Sequence, residues 1–236
     1  MVRRGLARSR EHAAELIAGG RVTVAGQSAT KSATAVGPGE PVVVKQDATD
    51  ENWASRGARK LAGALDAFDA VHVTGRRCLD AGASTGGFTD VLLQAGALRV
   101  HAVDCGAGQL DWKLRTDPRV IMHEGINARS LSFQDIGELV DFLCCDVSFI
   151  SVTLILPAVT QLLQPAGQMV ILIKPQFEVG KGQVGKGGIV RQPELHQAAC
   201  EKVERAVREM GFQTAIIESP IAGAEGNKEF LLYARH

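Results

Sequence analysis

With 236 residues, 45% of them hydrophobic and 22% charged, the chain has room for one sizeable α/β domain, alone or with a small appendage. No uninterrupted apolar stretch reaches the length of a membrane span, because Asp146 breaks the longest candidate region, so no membrane partner is expected. The net charge of zero conceals an asymmetry: residues 1–46 hold seven Arg and Lys against three Glu, an excess of about +4 that points to a polyanion held at that end.

From the N-terminus, residues 9–19 (SREHAAELIAG) predict a short helix, with Ser9 as N-cap and Gly19-Gly20 as its end. Residues 22–24 and 41–44 predict short strands, separated by turns at Ala25-Gly26 and Pro38-Gly39. Arg3, Arg4, Arg8 and Arg10 crowd the start of this small α+β unit, a composition suited to gripping an RNA backbone. The unit has no aromatic residues, so base reading by stacking is not expected there. The polar, acidic DATDEN run (47–52) reads as a linker, which sets the expected organisation as 1–46, a linker at 47–54, and a larger domain at 55–236.

Apolar runs then follow at 77–81, 99–104, 120–123, 139–145, 169–173, 213–218 and 229–234, with helical stretches near 86–95, 151–163 and 194–210. Short apolar strands separated by helices predict a parallel sheet covered on both faces, of the kind that binds ligands at the carboxyl ends of its strands. Cys78, Cys105, Cys144, Cys145 and Cys200 show neither CxxC spacing nor a pairing scheme, and the chain lacks a signal-peptide pattern. A reduced, cytoplasmic protein is expected. The histidines show no metal-ligand spacing, and no metal is expected.

Strand ends therefore hold the candidate chemistry. In CLDAGASTGGFTD (78–90) a strand closes on Asp80 and passes through a glycine-rich turn into a helix. The glycines permit close backbone approach, and the helix start offers free amides. The spacing is not G-x-G-x-x-G, and an acid just before the first glycine repels a pyrophosphate, favouring a ligand with a cationic group such as the methionine part of S-adenosylmethionine. Some twenty residues on, Asp104 ends the next strand, where a carboxylate can accept both ribose hydroxyls of an adenosine.

MVILIKPQFE (169–178) poses a sharper question, since its core strand ends on Lys174. Burying an ammonium without a partner is expensive. Strand 139–145 leads to Asp146, with Ser148 and Ser151 capping the next segment; Glu229 opens the last strand; and Lys60 lies on a helix behind Arg56 and Arg59. If the last strand runs antiparallel, its start meets the other strands' ends, and two cations face two anions at one rim. Between 175 and 191 a glycine-rich stretch with Lys181 and Lys186 reads as a flexible basic lip over that rim.

SRGARKL, CLDAGASTGGFTD, GQLDWKLRTDPRV, CDVSFISVTLILPA, LIKPQFEVGKGQVGKGGIVR and SPIAGAEGNKEFLL resemble the signature blocks of the TlyA (haemolysin A-like) family of ribosomal RNA 2'-O-methyltransferases. The resemblance implies an S4-type RNA-binding domain followed by a Rossmann-like, FtsJ-like domain dependent on S-adenosylmethionine. It implies a catalytic tetrad of Lys60, Asp146, Lys174 and Glu229. Cofactor contacts are implied from Asp80, Gly82, Ala83, Ser84, Thr85, Gly86, Gly87, Phe88, Asp104 and Asn127. RNA contacts are expected from Arg3, Arg4, Arg8, Arg10, Arg56, Arg59, Lys181 and Lys186, with ribosomal RNA in its subunits as the partner and cytidine as the nucleotide. The family's S4 domain begins several residues earlier, so a shortened one is expected. Ala107 stands where relatives carry an aromatic, and HEGINAR (123–129) replaces ERTNAR. Three other readings stay open: O-methylation of a small molecule, a cytolysin as the family's historical name suggests, and an RNA-binding assembly factor with silent chemistry.

Overall fold

A computed structural model describes residues 1–4, 6–7, 10–37, 39–44, 53–223 and 226–236. The chain divides into two compact units, Met1–Ser55 and Arg56–His236. Arg8 and most of the expected linker lie outside the described residues, as does the side chain of Lys181.

In the first unit α1 (Arg10–Ala18) precedes three short strands, β1 (Val22–Val24), β2 (Gln27–Ser28) and β3 (Val42–Val44). They form an antiparallel sheet in the order β2-β1-β3. Positive φ at Ala25 and Gly26 closes the β1–β2 turn. Ala7, Leu16, Val22 and Ala29 make a small core under this sheet.

The second unit begins with α2 (Ala58–Ala67), whose buried Ala58, Leu61 and Ala64 recur every third residue on one face. Then come β4 (Arg77–Ala81), α3 (Gly87–Gln94), β5 (Arg99–Asp104), α4 (Trp112–Arg115), β6 (Val120–Glu124), α5 (Phe133–Ile136) and β7 (Val140–Cys145). The chain continues through α6 (Leu156–Thr160), β8 (Leu163–Ile173), α7 (Pro175–Glu178), α8 (Pro193–Glu209), β9 (Gln213–Glu218) and β10 (Phe230–Arg235).

Seven strands order as β6-β5-β4-β7-β8-β10-β9. The five from β6 to β8 run parallel, while β10 is antiparallel to both of its neighbours. The sheet is thus mixed rather than wholly parallel. Its centre is buried on both faces: Val140, Phe142, Leu143, Met169 and Ile171 have no exposed surface, as their continuous apolar runs require. α8 starts with Pro193 at a first-turn position and buries Ala199, Val203 and Val207, one residue per turn, against the sheet.

Two expected elements differ. The helix read over 151–163 shrinks to a 3-10 turn at Val152–Leu154 plus α6, because Leu163 already belongs to β8, an eleven-residue strand that begins well before the Met169 run. The expected loop after Lys174 opens with the single turn α7, and 3-10 turns follow at Lys181–Gln183 and Lys186–Gly188. Pro175 suits a first helical turn, where its missing N–H is not needed.

Gly63 shows how tightly α2 is seated, since a Cβ there would come within 2.7 Å of the Pro220 ring. In an open helix Gly→Ala gains about 1 kcal/mol. Here overpacking of about 1–3 kcal/mol outweighs it. Gly63→Ala is expected to lower the urea midpoint, and a raised midpoint contradicts this seating.

Candidate active site

The sheet order reverses between β4 and β7, and at that switch point the glycine loop and Asp146 meet. The Asp146 amide donates to the Ala81 carbonyl at 2.9 Å. Gly82 has φ of 91°, and a Cβ on it would collide with the Asp146 carbonyl oxygen. Only glycine satisfies both demands. Gly86, at φ of 95°, caps α3, and a Cβ there would strike Leu114 and Leu110. Asp104 gathers the neighbouring backbone: its carboxylate accepts from the Ser84 amide at 2.8 Å and the Gly106 amide at 2.7 Å. Ser84 Oγ donates to Gln109 Oε1 at 3.3 Å. Asn127 caps the turn at 128–130 through the Arg129 amide, and the adjacent Ile126 amide bonds the Asp104 carbonyl at 3.1 Å.

Of the residues expected at a cofactor, Ala83, Ser84 and Asp104 line one cavity, with Met122 and Glu124 of β6. Gly87 and Phe88 are buried in α3. Asp80 points inward: it has no exposed surface, and it accepts a 2.7 Å hydrogen bond from Thr89 Oγ1. Its closeness to a ligand is through the loop it holds, not through an open carboxylate. Burial pushes its pKa up to about 7; the Thr89 hydrogen bond opposes that, and the charge of Asp146 adds to it.

The strand-end charges form two ion pairs. Lys174 Nζ lies 2.5 Å from Asp146 Oδ1, and Lys60 Nζ lies 2.5 Å from Glu229 Oε2. Lys60, Lys174 and Glu229 are 7%, 9% and 3% exposed, so each lysine is tolerated because its partner is present. β8 and β10 register Ile173 against Phe230, which sets Lys174 opposite Glu229 one step on. Gly223 makes room for Glu229, whose Oε1 would clash with a Cβ there.

Ser148, read from sequence only as a cap, accepts from Lys174 Nζ at 2.7 Å. Phe149 escaped the sequence reading altogether. It is 91% exposed, holds φ of 66°, and lies 5.3 Å from the Phe177 ring. Local pattern carries no sign that an aromatic just beyond a core strand stays outside.

Arg56 and Arg59 are exposed near the start of α2, and Arg56 donates to the Ala222 carbonyl at 2.9 Å; Lys186 is exposed as well. Within the first unit Arg3, Arg4 and Arg10 line one groove together with Lys31, which the sequence reading passed over. Arg4 is partly committed there, donating to the Glu40 and Gly37 carbonyls at 2.6 and 2.8 Å.

A doubly wound sheet with an antiparallel strand near one edge, and a glycine loop facing an acid across its switch point, places a nucleoside-type ligand at that switch point. The FtsJ-like methyltransferase family matches residues 53–236, and the S4 domain matches residues 1–42. The chain belongs to the FtsJ-like methyltransferases, in the TlyA-type group that carries an S4 domain ahead of the catalytic one. It is 51% identical over 236 residues to the 16S/23S rRNA (cytidine-2'-O)-methyltransferase TlyA of Mycobacterium tuberculosis, covering 100% of this chain and 87% of that protein. Hemolysin A of Brachyspira hyodysenteriae is 39% identical, covering 97% of this chain and 95% of that one. A solved structure from Streptococcus thermophilus, 42% identical, superposes with a TM-score of 0.80 over 98% of this chain and 84% of its own.

The enzyme is therefore an S-adenosylmethionine-dependent methyltransferase, and its loop fits that cofactor. The glycine backbone admits close approach at Gly82 and Gly86. Beside that loop, Ala102, Leu110 and Met122 line a small cavity together with the carboxylates of Asp104 and Glu124. Among the described residues no helix is long and apolar enough to cross a membrane, and no His/Cys/Asp/Glu group is arranged to hold a metal.

Asp80 makes stability depend on pH in a set direction. Unfolded it titrates near 3.8 and folded near 7, so between those values the folded chain keeps a proton that the unfolded chain has lost. Its contribution to stability is then greatest at low pH and falls as pH rises towards 7. Asp80→Asn removes this loss. Urea titrations from pH 5 to 8 are expected to show the Asn variant gaining on the parent by a few kcal/mol as pH rises; parallel curves contradict it.

Proposed function

We propose that this enzyme methylates the 2'-hydroxyl of a ribose in ribosomal RNA, a cytidine by analogy with its relatives, using Lys60, Asp146, Lys174 and Glu229 as the catalytic set. One observation carries the reading. Two buried lysine–carboxylate pairs stand at the strand ends beside the glycine loop, where neither pair has a use in folding that an apolar residue would not serve as well.

A ribose hydroxyl is a weak nucleophile, and the reaction is an in-line displacement. The O–CH3 bond forms as the S–CH3 bond breaks, and the sulfonium leaves as a neutral thioether. Alignment of oxygen, carbon and sulfur can supply about 7–11 kcal/mol of the barrier reduction. Lys174, directed by Asp146 and Ser148, is the donor to the 2'-oxygen and the charge that steadies it as an alkoxide. The hydroxyl proton leaves to solvent as the O–CH3 bond forms, Lys174 keeping its charge throughout. Lys60 and Glu229 hold the ribose on the other side. Asp80, Gly82, Ala83, Ser84, Thr85, Gly86, Gly87, Phe88, Asp104 and Asn127 are assigned to the cofactor side, Asp80, Gly87 and Phe88 acting from beneath. Phe149 offers an exposed aromatic face for a nucleobase beside the reacting centre.

In this reading residues 1–46 are the RNA-docking unit, 47–54 the linker and 55–236 the catalytic domain. Arg3, Arg4, Arg8, Arg10, Arg56, Arg59, Lys181 and Lys186 take phosphates. The partner is RNA within the ribosomal subunits, which sets the enzyme in the cytoplasm.

Lys174→Ala is expected to lower methyl transfer by at least about 100-fold, while cofactor affinity by isothermal titration stays nearly unchanged. Incubation with labelled S-adenosylmethionine and unmethylated small or large ribosomal subunits, followed by mass spectrometry, is expected to locate the methyl group on a ribose. Substantial turnover by Lys174→Ala sinks the catalytic assignment, and cofactor binding without any RNA product sinks the substrate.

A further inference from the structure

Beyond the tetrad, the second unit buries a carboxylate that the mechanism does not use, Glu178. Glu178 ends α7, four residues after Lys174, and its side chain is 1% exposed. Its Oε1 accepts from the Val152 amide at 2.7 Å, and its Oε2 accepts from Ser151 Oγ at 2.5 Å and from Lys202 Nζ at 2.9 Å. Lys202, on α8, also donates to the Glu178 carbonyl at 2.9 Å and to Ser151 Oγ at 3.2 Å. The buried charge is compensated, and its partners all belong to the segment after β7 or to α8.

That segment runs from Asp146 to Val152 and carries both residues that direct Lys174. Its near end is tied to the sheet by the Asp146 amide and to Lys174 by the Asp146 and Ser148 side chains. Its far end is tied by Glu178. Between them Phe149 sits at φ of 66°, a conformation that costs a non-glycine residue about 1 kcal/mol or more and persists only when its surroundings enforce it. α7 is a single turn with Lys174 before it and Glu178 at its end. The two segments are thus stapled at both ends, with Phe149 and Phe177 meeting between the staples.

We infer that Glu178 is a positioning residue for methyl transfer, holding the 146–152 segment under constraint so that Asp146 and Ser148 aim Lys174 and Phe149 stays at the mouth of the site. The inference rests on the proposed role of Lys174. Without Glu178 the far end is free, Phe149 relaxes towards negative φ, and the Asp146 and Ser148 oxygens shift against Lys174. Displacement by about 1 Å is enough to lower turnover by about 100-fold. The cofactor loop keeps its braces at Asp104 and Thr89 and its contact with the Asp146 backbone, the end of the segment that stays tied to the sheet.

The test uses the full chain with labelled S-adenosylmethionine and unmethylated ribosomal subunits. Glu178→Ala is expected to lower kcat by about 100-fold with cofactor affinity unchanged. Glu178→Gln, which keeps an acceptor for the Val152 amide, is expected to recover a large part of it. A purely structural role predicts instead that cofactor affinity and kcat fall together and that Gln gives no rescue; either result overturns the inference, as does wild-type turnover by Glu178→Ala. Should Glu178→Ala fail to fold, Ser151→Ala loosens the same staple by removing the hydroxyl that bonds Glu178 and Lys202 and is expected to lower kcat about tenfold, unchanged turnover again overturning it. Lys174→Ala run alongside separates the two failures: if it is inactive while Glu178→Ala is fully active, only the positioning role falls, and if both are active the catalytic reading falls with it.

Discussion

Two lysine side chains are withdrawn from water at the carboxyl rim of this sheet, and much of the second unit is arranged so that neither is left alone. An isolated buried ammonium is penalised by several kcal/mol, and removing one member of a buried pair leaves that penalty uncompensated. Lys174 finds Asp146 because β7 and β8 are parallel neighbours. Lys60 finds Glu229 because β10 enters the sheet antiparallel, so the beginning of that strand lies at the rim where its neighbours finish. A fully parallel sheet would have sent Glu229 to the opposite edge. The reversed strand is therefore as much a part of the site as the charges are.

The same rim supplies the other half of the reaction. The glycine loop leaves β4 at the point where the strand order reverses, with its backbone pressed against Asp146 at Gly82. The glycine loop and Asp146 share that contact, so in the proposed function it would fix the separation between the methyl donor and the group that prepares the acceptor. Asp104 braces the loop from the β5 side through the Ser84 and Gly106 amides. Asp80 holds it from below through Thr89. For a displacement whose rate depends on alignment, such bracing acts directly on the chemistry.

The first unit has physics of another kind. Among the described residues its core is Ala7, Leu16, Val22 and Ala29, and its largely apolar groove carries Arg3, Arg4, Arg10 and Lys31. In the proposed function these cations would meet phosphate by charge, a contact sensitive to salt and with little base discrimination. Discrimination among nucleotides would then fall to the second unit, where Phe149 is an exposed aromatic next to Ser148, the partner of Lys174.

Read alone, the sequence determined what depends on near neighbours. The apolar runs located the strands of the larger sheet, because a strand buried on both faces must be apolar throughout, and Gly82 and Gly86 marked a backbone that side chains would obstruct. Charged residues at the ends of such runs stood out, since burial makes them costly. Family resemblance added which of them belong together. The short strand at Gln27–Ser28, the early start of β8 and the break-up of the expected 151–163 helix were hidden, because pairing across the sheet overrides local pattern there. Tertiary structure alone decided that Asp80 turns inward, that Ser148 serves Lys174, that Phe149 stays in solvent, and that Glu178 closes on Ser151 and Val152. Each depends on where residues distant in the chain come to rest, and the free energy of a buried or exposed group is set by those neighbours, not by its place in the sequence.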